Sequence, residues 1–293
     1  MSCAMVLCAG LGTRLRPLTD ELPKPLVPLG DRPLLAHIWA RLQAAGTRRL
    51  VINTHHLANR FVNVHELLHT KVQQVHEEEI RGTAGGIAGA RALLGPGSVV
   101  VWNGDILASP PLGSLLSAAG ETGLAFAVCP RPKGEGTLGV DAAGSIVRLR
   151  GHQFGVEVRG GDYLGVAALD EATRAALPER GCLVGDVALP ALAAGRRVRA
   201  VDAPGPWTDL GDPESYHAAN LRWLEQEALD TFRAADARVA PGVELEQCVL
   251  GGGVEVRGSG RLTRVVAWPG AILEAPLSDA IVLGSGRVVS ISR

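Results

Sequence analysis

The stretch Ala4-Met-Val-Leu-Cys-Ala-Gly-Leu-Gly-Thr-Arg14 decides how this chain begins to fold. Its first part, Ala4–Cys8, is a continuous apolar run, which is typical of a strand buried on both faces of a parallel sheet. An apolar helical pattern follows over Pro33–Ala45 and closes at Gly46, before a second apolar run at Arg49–Asn53. This order of strand, helix and strand predicts a βαβ unit with a glycine loop after its first strand.

Alternating strand and helix patterns continue to residue 194. This alternation favours an α/β fold with a mostly parallel sheet that is covered by helices on both faces. The predicted strands are Val72–Val75, Val99–Trp102, Leu124–Cys129 and Gly165–Leu169, and the predicted helices cover residues 86–94, 112–119, 171–177 and 185–194.

The last part of the chain has a different pattern. A helix is predicted from Asp212 to Phe232, and from Val239 onward only short β-branched pieces occur between turns. Turns at intervals of about six to ten residues predict a small left-handed β-helix of the hexapeptide type, with a plain β-hairpin appendage as the alternative. The predicted domains are therefore residues 1–232 and residues 236–293.

Charge and cysteine content exclude several classes of protein. The 293 residues carry 29 Lys and Arg against 30 Asp and Glu, a formal net charge of -1. This balance excludes a general binder of nucleic acid or of anionic membranes. The five cysteines include no Cys-x-x-Cys pair, which fits a reducing compartment and predicts a cytoplasmic protein. No apolar run reaches the roughly 18 residues of a membrane-spanning helix, and the N-terminus has no signal-peptide pattern.

The glycine loop and the basic residues after it predict a phosphate-binding site. Gly10 and Gly12 lack the third glycine of a dinucleotide-binding fingerprint, and no Walker A lysine follows them. A glycine loop after a strand nevertheless lets backbone N–H groups approach phosphate oxygens, and Arg14 and Lys24 add positive charge. Prolines on both sides of Lys24 hold that segment rigid. A polyanion is therefore expected to bind locally.

The motifs of this region resemble those of the sugar-phosphate nucleotidylyltransferases, also called nucleoside-diphosphate-sugar pyrophosphorylases. The hallmark of that family, GxGTRLxPLT followed by PKPxxP, is similar to Gly10–Thr19 and Pro23–Pro28. The resemblance implies a Rossmann-like α/β fold and an enzyme that joins a sugar 1-phosphate to a nucleoside triphosphate, giving a nucleotide sugar and pyrophosphate. It continues through residues 53–57, 82–86, 103–105 and 207–216 and covers nearly all of residues 4–225.

The resemblance also implies a set of site residues. Arg14, Lys24 and Asp105 would be catalytic, since positioning and charge neutralisation rather than a protein nucleophile promote nucleotidyl transfer. Asp105 follows an apolar strand, and with Asp209 it would hold Mg²⁺, which prefers hard oxygen ligands. The implied nucleotide-binding residues are Ala9, Gly10, Gly12, Thr13, Gly82, Thr83 and Gly85, and the implied sugar-binding residues are Gly139 and Tyr163.

One departure from the family pattern concerns a lysine that contacts the sugar phosphate. In the family a Glu-Lys-Pro often follows a D-x-x-G-x-V strand, but here no lysine follows Asp141–Ile146. Arg148, Arg150 or His152 could supply the charge, with a changed geometry because arginine is a planar fork. The departure keeps open a non-catalytic regulatory subunit that binds a nucleotide sugar.

A second motif points to different chemistry. His65-Glu-Leu-Leu-His69 matches the H-E-x-x-H pattern, which on a helix places two histidines one turn apart for zinc. The candidate helix is short, and a five-residue match is a weak signal. A solvated helix face is therefore favoured over a zinc hydrolase.

The sequence leaves several substrate pairs open. The Gly82-Thr-Ala-Gly run and the Val266–Ala271 stretch resemble mannose-1-phosphate guanylyltransferases and favour GTP with a mannose-type or heptose-type 1-phosphate. Asn53-Thr-His-His resembles N-acetylmuramic-acid-1-phosphate uridylyltransferases, so UTP with that sugar is the alternative, and dTTP or UTP with glucose 1-phosphate is a third. No nucleic acid or membrane is expected as a partner, and the C-terminal domain could support a homo-oligomer.

Overall fold

The computed structural model describes residues 3–292, and the chain splits into two compact units. The first unit comprises the chain up to Gly10 together with Ile38–Trp207. The second comprises Leu11–His37 together with the chain from Thr208 onward. The chain therefore leaves the first unit soon after its first strand and returns to it within the second helix listed below. The division of the sequence at residues 232–236 stays a prediction.

The strands and helices are numbered in chain order. The strands are β1 (Cys3–Leu7), β2 (Pro28–Leu29), β3 (Arg32–Pro33), β4 (Arg49–Thr54), β5 (Val72–His76), β6 (Val99–Asn103), β7 (Ile106–Leu107), β8 (Leu124–Arg131), β9 (Leu138–Val140), β10 (Ile146–Leu149), β11 (His152–Gln153), β12 (Arg159–Leu169), β13 (Arg199–Asp202), β14 (Thr208–Asp209), β15 (Phe232–Arg233), β16 (Arg238–Val239), β17 (Val243–Glu246), β18 (Val249–Leu250), β19 (Glu255–Ala267), β20 (Ile272–Val282) and β21 (Val288–Ser290). The helices are α1 (Leu18–Glu21), α2 (Leu34–Ala44), α3 (Val64–Leu67), α4 (Gly82–Gly89), α5 (Arg91–Leu94), α6 (Leu112–Thr122), α7 (Glu171–Ala175), α8 (Leu189–Ala193) and α9 (Pro213–Gln226), with 3₁₀ turns at Thr13–Leu15, Lys24–Leu26 and Ala58–Phe61 and a π-helical turn at Leu183–Ala188.

The first unit is built on a large mixed sheet with the strand order β11-β10-β9-β12-β6-β1-β4-β5, to which β8 and β13 are joined through β12. The strands β6, β1, β4 and β5 pair in parallel, so the predicted βαβ unit and the α/β class are confirmed. The strands β9 to β12 pair antiparallel. The connections from β9 to β10 and from β10 to β11 are only a few residues long, and strands joined in this way can pair only in that direction.

Apolar patterning accounts for the core of this unit. The apolar run that opens the sequence forms β1, and its residues Cys3–Val6 are at most 1% exposed. A parallel strand between two others is covered on both faces, so a continuous apolar run is what such a position requires. In α2, the apolar residues recur at the helical period, and Leu34, Leu35, Ile38 and Leu42 are fully buried.

The helix α9 belongs to the second unit and begins at a capping box. Asp212 Oδ1 accepts a hydrogen bond from Ser215 N at 2.8 Å, and Asp212 N donates to Ser215 Oγ at 3.1 Å. Hydrogen bonding from Ser215, chiefly from its backbone N–H, holds the pKa of the Asp212 carboxyl below its usual value. The helix ends at Gln226 rather than at the predicted Phe232, because Phe232 already belongs to β15 and pairs with the C-terminal strands.

The C-terminal strands stack as parallel coils. Phe232 pairs with Val249 and Val249 pairs with Val266, in steps of 17 residues. A later pair, Leu262 with Leu277, follows a step of 15 residues. A plain hairpin pairs neighbouring strands antiparallel, so this arrangement of β15 to β20 excludes the hairpin alternative and confirms a C-terminal β-sheet domain.

Candidate functional site

Three parallel strands of the first unit end at one edge of the sheet. β1 lies between β4 and β6, and Leu7 pairs with Asn53 on one side and with Asn103 on the other. Gly104 N donates to Leu7 O at 2.9 Å, which fixes the turn before Asp105. Asp105 therefore lies at the edge where open α/β sheets bind ligands.

Cys8 follows β1 at this edge, but its thiol is not a nucleophile. Its side chain is buried, and burial together with the nearby Asp105 carboxylate raises the pKa of the thiol. Because the thiolate is the reactive form, Cys8 acts as a small apolar side chain.

A buried hydrogen-bond network joins the ends of β1, β4 and β5. Asn53 Oδ1 accepts from Cys8 N at 2.8 Å, and Asn53 Nδ2 donates to Glu77 Oε1 at 2.7 Å. Glu77 Oε2 accepts from Arg81 N at 3.0 Å, and Glu77 is only 1% exposed. The network therefore fixes the backbone at Cys8 and at Arg81. These residues directly precede the two segments of this unit that the sequence predicts to bind the nucleotide.

Sequence reasoning missed the role of Glu77. It is the first of three glutamates, Glu77–Glu79, and an acidic run normally indicates a solvated surface. The available signal is its place two residues after the predicted strand Val72–Val75, since the preceding predicted strand, Arg49–Asn53, ends on an asparagine. The parallel register brings the two together, because Asn53 pairs with Val75.

We expect Asn53→Ala to lower the free energy of unfolding by about 2–4 kcal/mol, because it removes the partner of a buried N–H and of a buried carboxylate oxygen. Urea unfolding measures the change. Thr47→Val is the matched control, since Thr47 is 5% exposed and its hydroxyl makes no hydrogen bond within residues 3–292. The control should shift stability by less than about 1 kcal/mol. Equal stability of the two variants would contradict this role of the network.

The start of α4 is braced by the chain at residues 181–183. Gly82 has φ +76°, and a Cβ there would lie 2.5 Å from Gly181 O. Ala84 N donates to Gly181 O at 2.9 Å, and Leu183 N donates to Thr83 Oγ1 at 2.7 Å. Glycine is therefore required at position 82 by backbone conformation and by close approach.

The predicted sugar-binding residues lie on the antiparallel part of the sheet. Gly139 is in β9, and a Cβ at this position would overlap the Glu157 carboxylate. Tyr163 is in β12, where its ring packs on Phe126 with the centroids 4.4 Å apart. Burial raises the pKa of Tyr163.

Arg148 forms hydrogen bonds that hold the loop before β9. Its Nε donates to Glu157 Oε2 at 2.6 Å, and its two terminal nitrogens donate to the carbonyl oxygens of Glu135, Gly136 and Leu138. The hydrogen bond from Arg148 lowers the pKa of Glu157. A guanidinium with these partners braces the loop, so Arg148 is a poor replacement for the family lysine.

The other two candidates for that charge lie at the turn between β10 and β11. Arg150 and Gly151 both have positive φ, as a two-residue hairpin turn requires. Arg150 Nη2 donates to Cys182 Sγ at 3.4 Å, and His152 is exposed on the edge strand β11. Arg148 therefore differs from Arg150 and His152 in its contacts, because its guanidinium is held by Glu157 and by three backbone carbonyls.

The second unit brings Arg14, Lys24 and Asp209 together. Lys24 Nζ lies 3.4 Å from Asp209 Oδ1, and Arg14 Nη2 lies 3.6 Å from Asp209 Oδ2. The Lys24 side chain is 9% exposed, whereas Arg14 is 71% exposed. Two cations beside one carboxylate form a site that can attract phosphate oxygens while offering a carboxylate oxygen to a metal ion.

The turn that carries Arg14 is set by Gly12. Gly12 has φ +62°, and a Cβ there would lie 2.7 Å from Thr19 Cγ2. Thr19 Oγ1 donates to Gly12 O at 2.8 Å, and the 3₁₀ turn Thr13–Leu15 follows directly. Gly12 is therefore required for the shape of the loop.

The sequence-predicted site residues fall into two groups. The first unit holds Ala9, Gly10, Gly82, Thr83, Gly85, Asp105, Gly139 and Tyr163, and the second holds Gly12, Thr13, Arg14, Lys24 and Asp209.

The H-E-x-x-H stretch does not form a metal site. The helix α3 ends at Leu67, and His69 has φ +47°, so His65 and His69 do not share one helical face. In the part of the chain that the structure describes, no three His, Cys, Asp or Glu side chains are grouped to hold a metal ion. Across residues 3–292, none of the helices has the length and apolar character needed to cross a membrane.

The fold is similar to that of a protein whose crystal structures have been solved. Two crystal structures of HddC from Yersinia pseudotuberculosis, one of them complexed with GMP-PN, match 76% of this chain and 100% of HddC. The TM-score is 0.64 at 22% sequence identity, which shows a shared fold.

The chain is also similar to a known protein family and to curated sequences. Residues 3–140 match the nucleotidyl transferase family. The probable mannose-1-phosphate guanylyltransferase 1 of Oryza sativa subsp. japonica is 29% identical over 301 residues, 97% of this chain and 82% of the relative. The N-acetylmuramate alpha-1-phosphate uridylyltransferase of Caulobacter vibrioides is 41% identical over 111 residues, 35% of this chain and 45% of the relative. Residues 3–140 therefore form a nucleotidyl transferase domain, and the chain is similar over most of its length to sugar-1-phosphate nucleotidylyltransferase enzymes, as its motifs predict.

Proposed function

We propose that this nucleotidyltransferase transfers the guanylyl group of GTP to a mannose-type or heptose-type 1-phosphate, giving a GDP-sugar and pyrophosphate. The observation that carries the proposal is the match over 97% of the chain to a relative named as a probable mannose-1-phosphate guanylyltransferase. The Gly82-Thr-Ala-Gly run and the Val266–Ala271 stretch support the same pair.

The reaction needs no protein nucleophile. A phosphate oxygen of the sugar 1-phosphate attacks the α-phosphorus of the nucleotide, and the bond from that phosphorus to the bridging oxygen breaks. The electron pair leaves with pyrophosphate. The protein therefore works by aligning the two phosphates and by stabilising charge on the phosphoryl oxygens and on the leaving group.

Arg14 and Lys24 are the residues that would stabilise this charge. Asp209 holds both cations, with Lys24 Nζ and Arg14 Nη2 within 3.6 Å of its carboxylate. Prolines at positions 23 and 25 flank Lys24, and its burial restricts its side chain further. Because the Lys24 ammonium group is already held in position, it needs little reorganisation when negative charge develops beside it.

Asp105 and Asp209 are the residues that would hold Mg²⁺. Both are carboxylates, and one or two carboxylates completed by substrate phosphates form the donor set that Mg²⁺ usually takes in proteins. Bound there, Mg²⁺ would neutralise charge on the phosphates.

The backbone around Ala9, Gly10, Gly12 and Thr13, with Gly82, Thr83 and Gly85, would form the nucleotide pocket. The Asn53–Glu77 network supports this assignment because it fixes the chain at Cys8 and at Arg81. Gly139 and Tyr163 would lie against the sugar.

Three further properties that the sequence predicts are also proposed for this protein. A left-handed β-helix is supported by the parallel coils of β15 to β20. A cytoplasmic location and a homo-oligomer formed through the C-terminal domain are likewise proposals.

UTP with N-acetylmuramic acid 1-phosphate is the second candidate pair. The Caulobacter vibrioides relative favours it at 41% identity, but over only 35% of this chain. The Asn53-Thr-His-His motif points the same way. Glucose 1-phosphate with dTTP or UTP, and a non-catalytic subunit that binds a nucleotide sugar, remain as alternatives.

Pyrophosphate release from a panel of nucleoside triphosphates and sugar 1-phosphates tests the proposal. The sugars are mannose, heptose, glucose, N-acetylglucosamine and N-acetylmuramic acid 1-phosphates, each with Mg²⁺ and with EDTA. We expect turnover with GTP and a mannose-type or heptose-type sugar, and its loss in EDTA. Turnover confined to UTP would overturn the proposed pair of GTP with a mannose-type or heptose-type 1-phosphate. Binding of a nucleotide sugar without any turnover would identify a regulatory subunit.

A further inference from the structure

The signature segment, residues 11–29, belongs to the same compact unit as the C-terminal strands. Leu15, Leu18 and Val27 are fully buried in a hydrophobic core shared with α9 and with those strands. The packing around Arg14 and Lys24 therefore depends on the C-terminal strands. Their members of the core are Val249, Val266, Trp268, Ile281 and Leu283.

A polar contact holds the same segment near its centre. The helix α1 carries Asp20 and Glu21. Ser285 Oγ donates to Glu21 Oε1, and Ser285 N donates to Glu21 Oε2 at 3.3 Å, so one residue engages both carboxylate oxygens. Arg287 Nη1 lies 3.8 Å from Asp20 Oδ2. Hydrogen bonds to a carboxylate are stronger than those between neutral groups.

Ser285 is held in place by the C-terminal turn, Leu283–Arg287, which joins β20 to β21. Leu283 N donates to Arg287 O and Gly286 N donates to Leu283 O, each at 2.9 Å. Gly286 has φ +84°, and Leu283 is buried in the core described above. The turn therefore holds the N–H and the hydroxyl of Ser285 in position to donate to the Glu21 carboxylate.

We propose that the C-terminal turn positions the signature segment for nucleotidyl transfer, with Glu21 and Ser285 as positioning residues. The inference rests on the proposed function, because it acts through Arg14 and Lys24. The helix α1 has only 4 residues, too few for a helix to be stable alone. Its orientation must come from tertiary contacts, and a shift of about 1 Å in a charge-stabilising group can cost about 10²-fold in rate.

Steady-state kinetics of Glu21→Gln and Ser285→Ala test the proposal. Each is expected to lower kcat/KM for the nucleoside triphosphate about tenfold, the effect of one hydrogen bond to a charged group. The KM for the sugar 1-phosphate should change less than about twofold. The double variant should lose less than the product of the two single losses, because both substitutions weaken the same contact. Ser285→Thr, which keeps the hydroxyl, should retain activity.

Hydrogen exchange provides a readout that does not need turnover. Amides of residues 11–29 should exchange faster in Glu21→Gln and in Ser285→Ala. The control is Glu244→Gln, which removes the exposed ion pair with Arg261 at 2.8 Å in the same unit and should change neither readout.

The possible outcomes separate this inference from the proposed function. Unchanged kcat/KM in the two single variants, an equal loss in the control, or a loss without faster exchange would each overturn the positioning role. Faster exchange in a protein whose unaltered form turns over no substrate pair would support the contact and overturn the proposed function instead.

Discussion

An Asp209→Asn substitution is expected to lower kcat about 10³-fold, the effect of removing one group that stabilises transition-state charge. Asp209 lies 3.4 Å from Lys24 Nζ and 3.6 Å from Arg14 Nη2. Asparagine keeps the shape of the side chain but removes its negative charge. The variant therefore loses a proposed Mg²⁺ ligand and the counter-charge of Lys24, whose side chain is only 9% exposed. Pyrophosphate release at saturating substrate concentrations measures the loss.

Asp212→Asn is the control for this prediction, because the charges of Arg14 and Lys24 also act on the Asp212 carboxylate but Asp212 is not a proposed Mg²⁺ ligand. Asp212 also carries a carboxylate in the second unit, but it accepts from Ser215 N to cap α9, and asparagine caps a helix equally well. We expect the control to keep kcat within about threefold. Asp105→Asn should lose about as much as Asp209→Asn if both hold the metal. An Asp209→Asn enzyme that keeps more than about a tenth of its kcat, with an unchanged Mg²⁺ requirement, would contradict the assignment.

Gly30→Ala is expected to destabilise the fold by about 2–5 kcal/mol, the sum of left-handed backbone strain and overpacking. Gly30 has φ +62°, and a Cβ there would overlap the Trp223 indole. Gly30 N also donates to Asn220 Oδ1 at 2.9 Å, so the backbone cannot move away without losing a buried hydrogen bond. Urea unfolding measures the decrease.

Gly242→Ala separates the two contributions. Gly242 lies in the same unit with φ +89°, but a Cβ there would have no neighbour within 4 Å. This variant should lose only the backbone part, about 1–2 kcal/mol. Equal stability of the two variants would mean that the indole moves aside without cost.

The family resemblance could be read from the sequence because its motifs are local. A glycine with positive φ at position 12 and prolines on both sides of Lys24 are demands of the backbone at those positions. The apolar runs of β1 and β4 are equally local, since a buried parallel strand needs apolar side chains on both faces. The predictions of the βαβ unit, the α/β class and the family are therefore confirmed.

Features that depend on distant residues were misread or missed. The predicted helix to Phe232 was too long because the pairing of Phe232 with Val249 outweighs a local helical pattern. Arg148 was a candidate for the sugar phosphate until the fold placed Glu157 beside it. The burial of Glu77 against Asn53, which follows from the register of β4 and β5, was not predicted.

The sequence by itself determined the family resemblance, the α/β class and the residue types of the candidate site, because these depend on neighbours along the chain. Only the tertiary structure decided that Lys24 and Asp209 meet, that Glu77 is buried, and that residues 11–29 pack with the C-terminal strands. Each of these joins segments that are remote in the chain, and such contacts form only when the whole apolar core closes around them. The residues that carry the charge are thus visible in the sequence, whereas the contacts that hold them in position come from the fold.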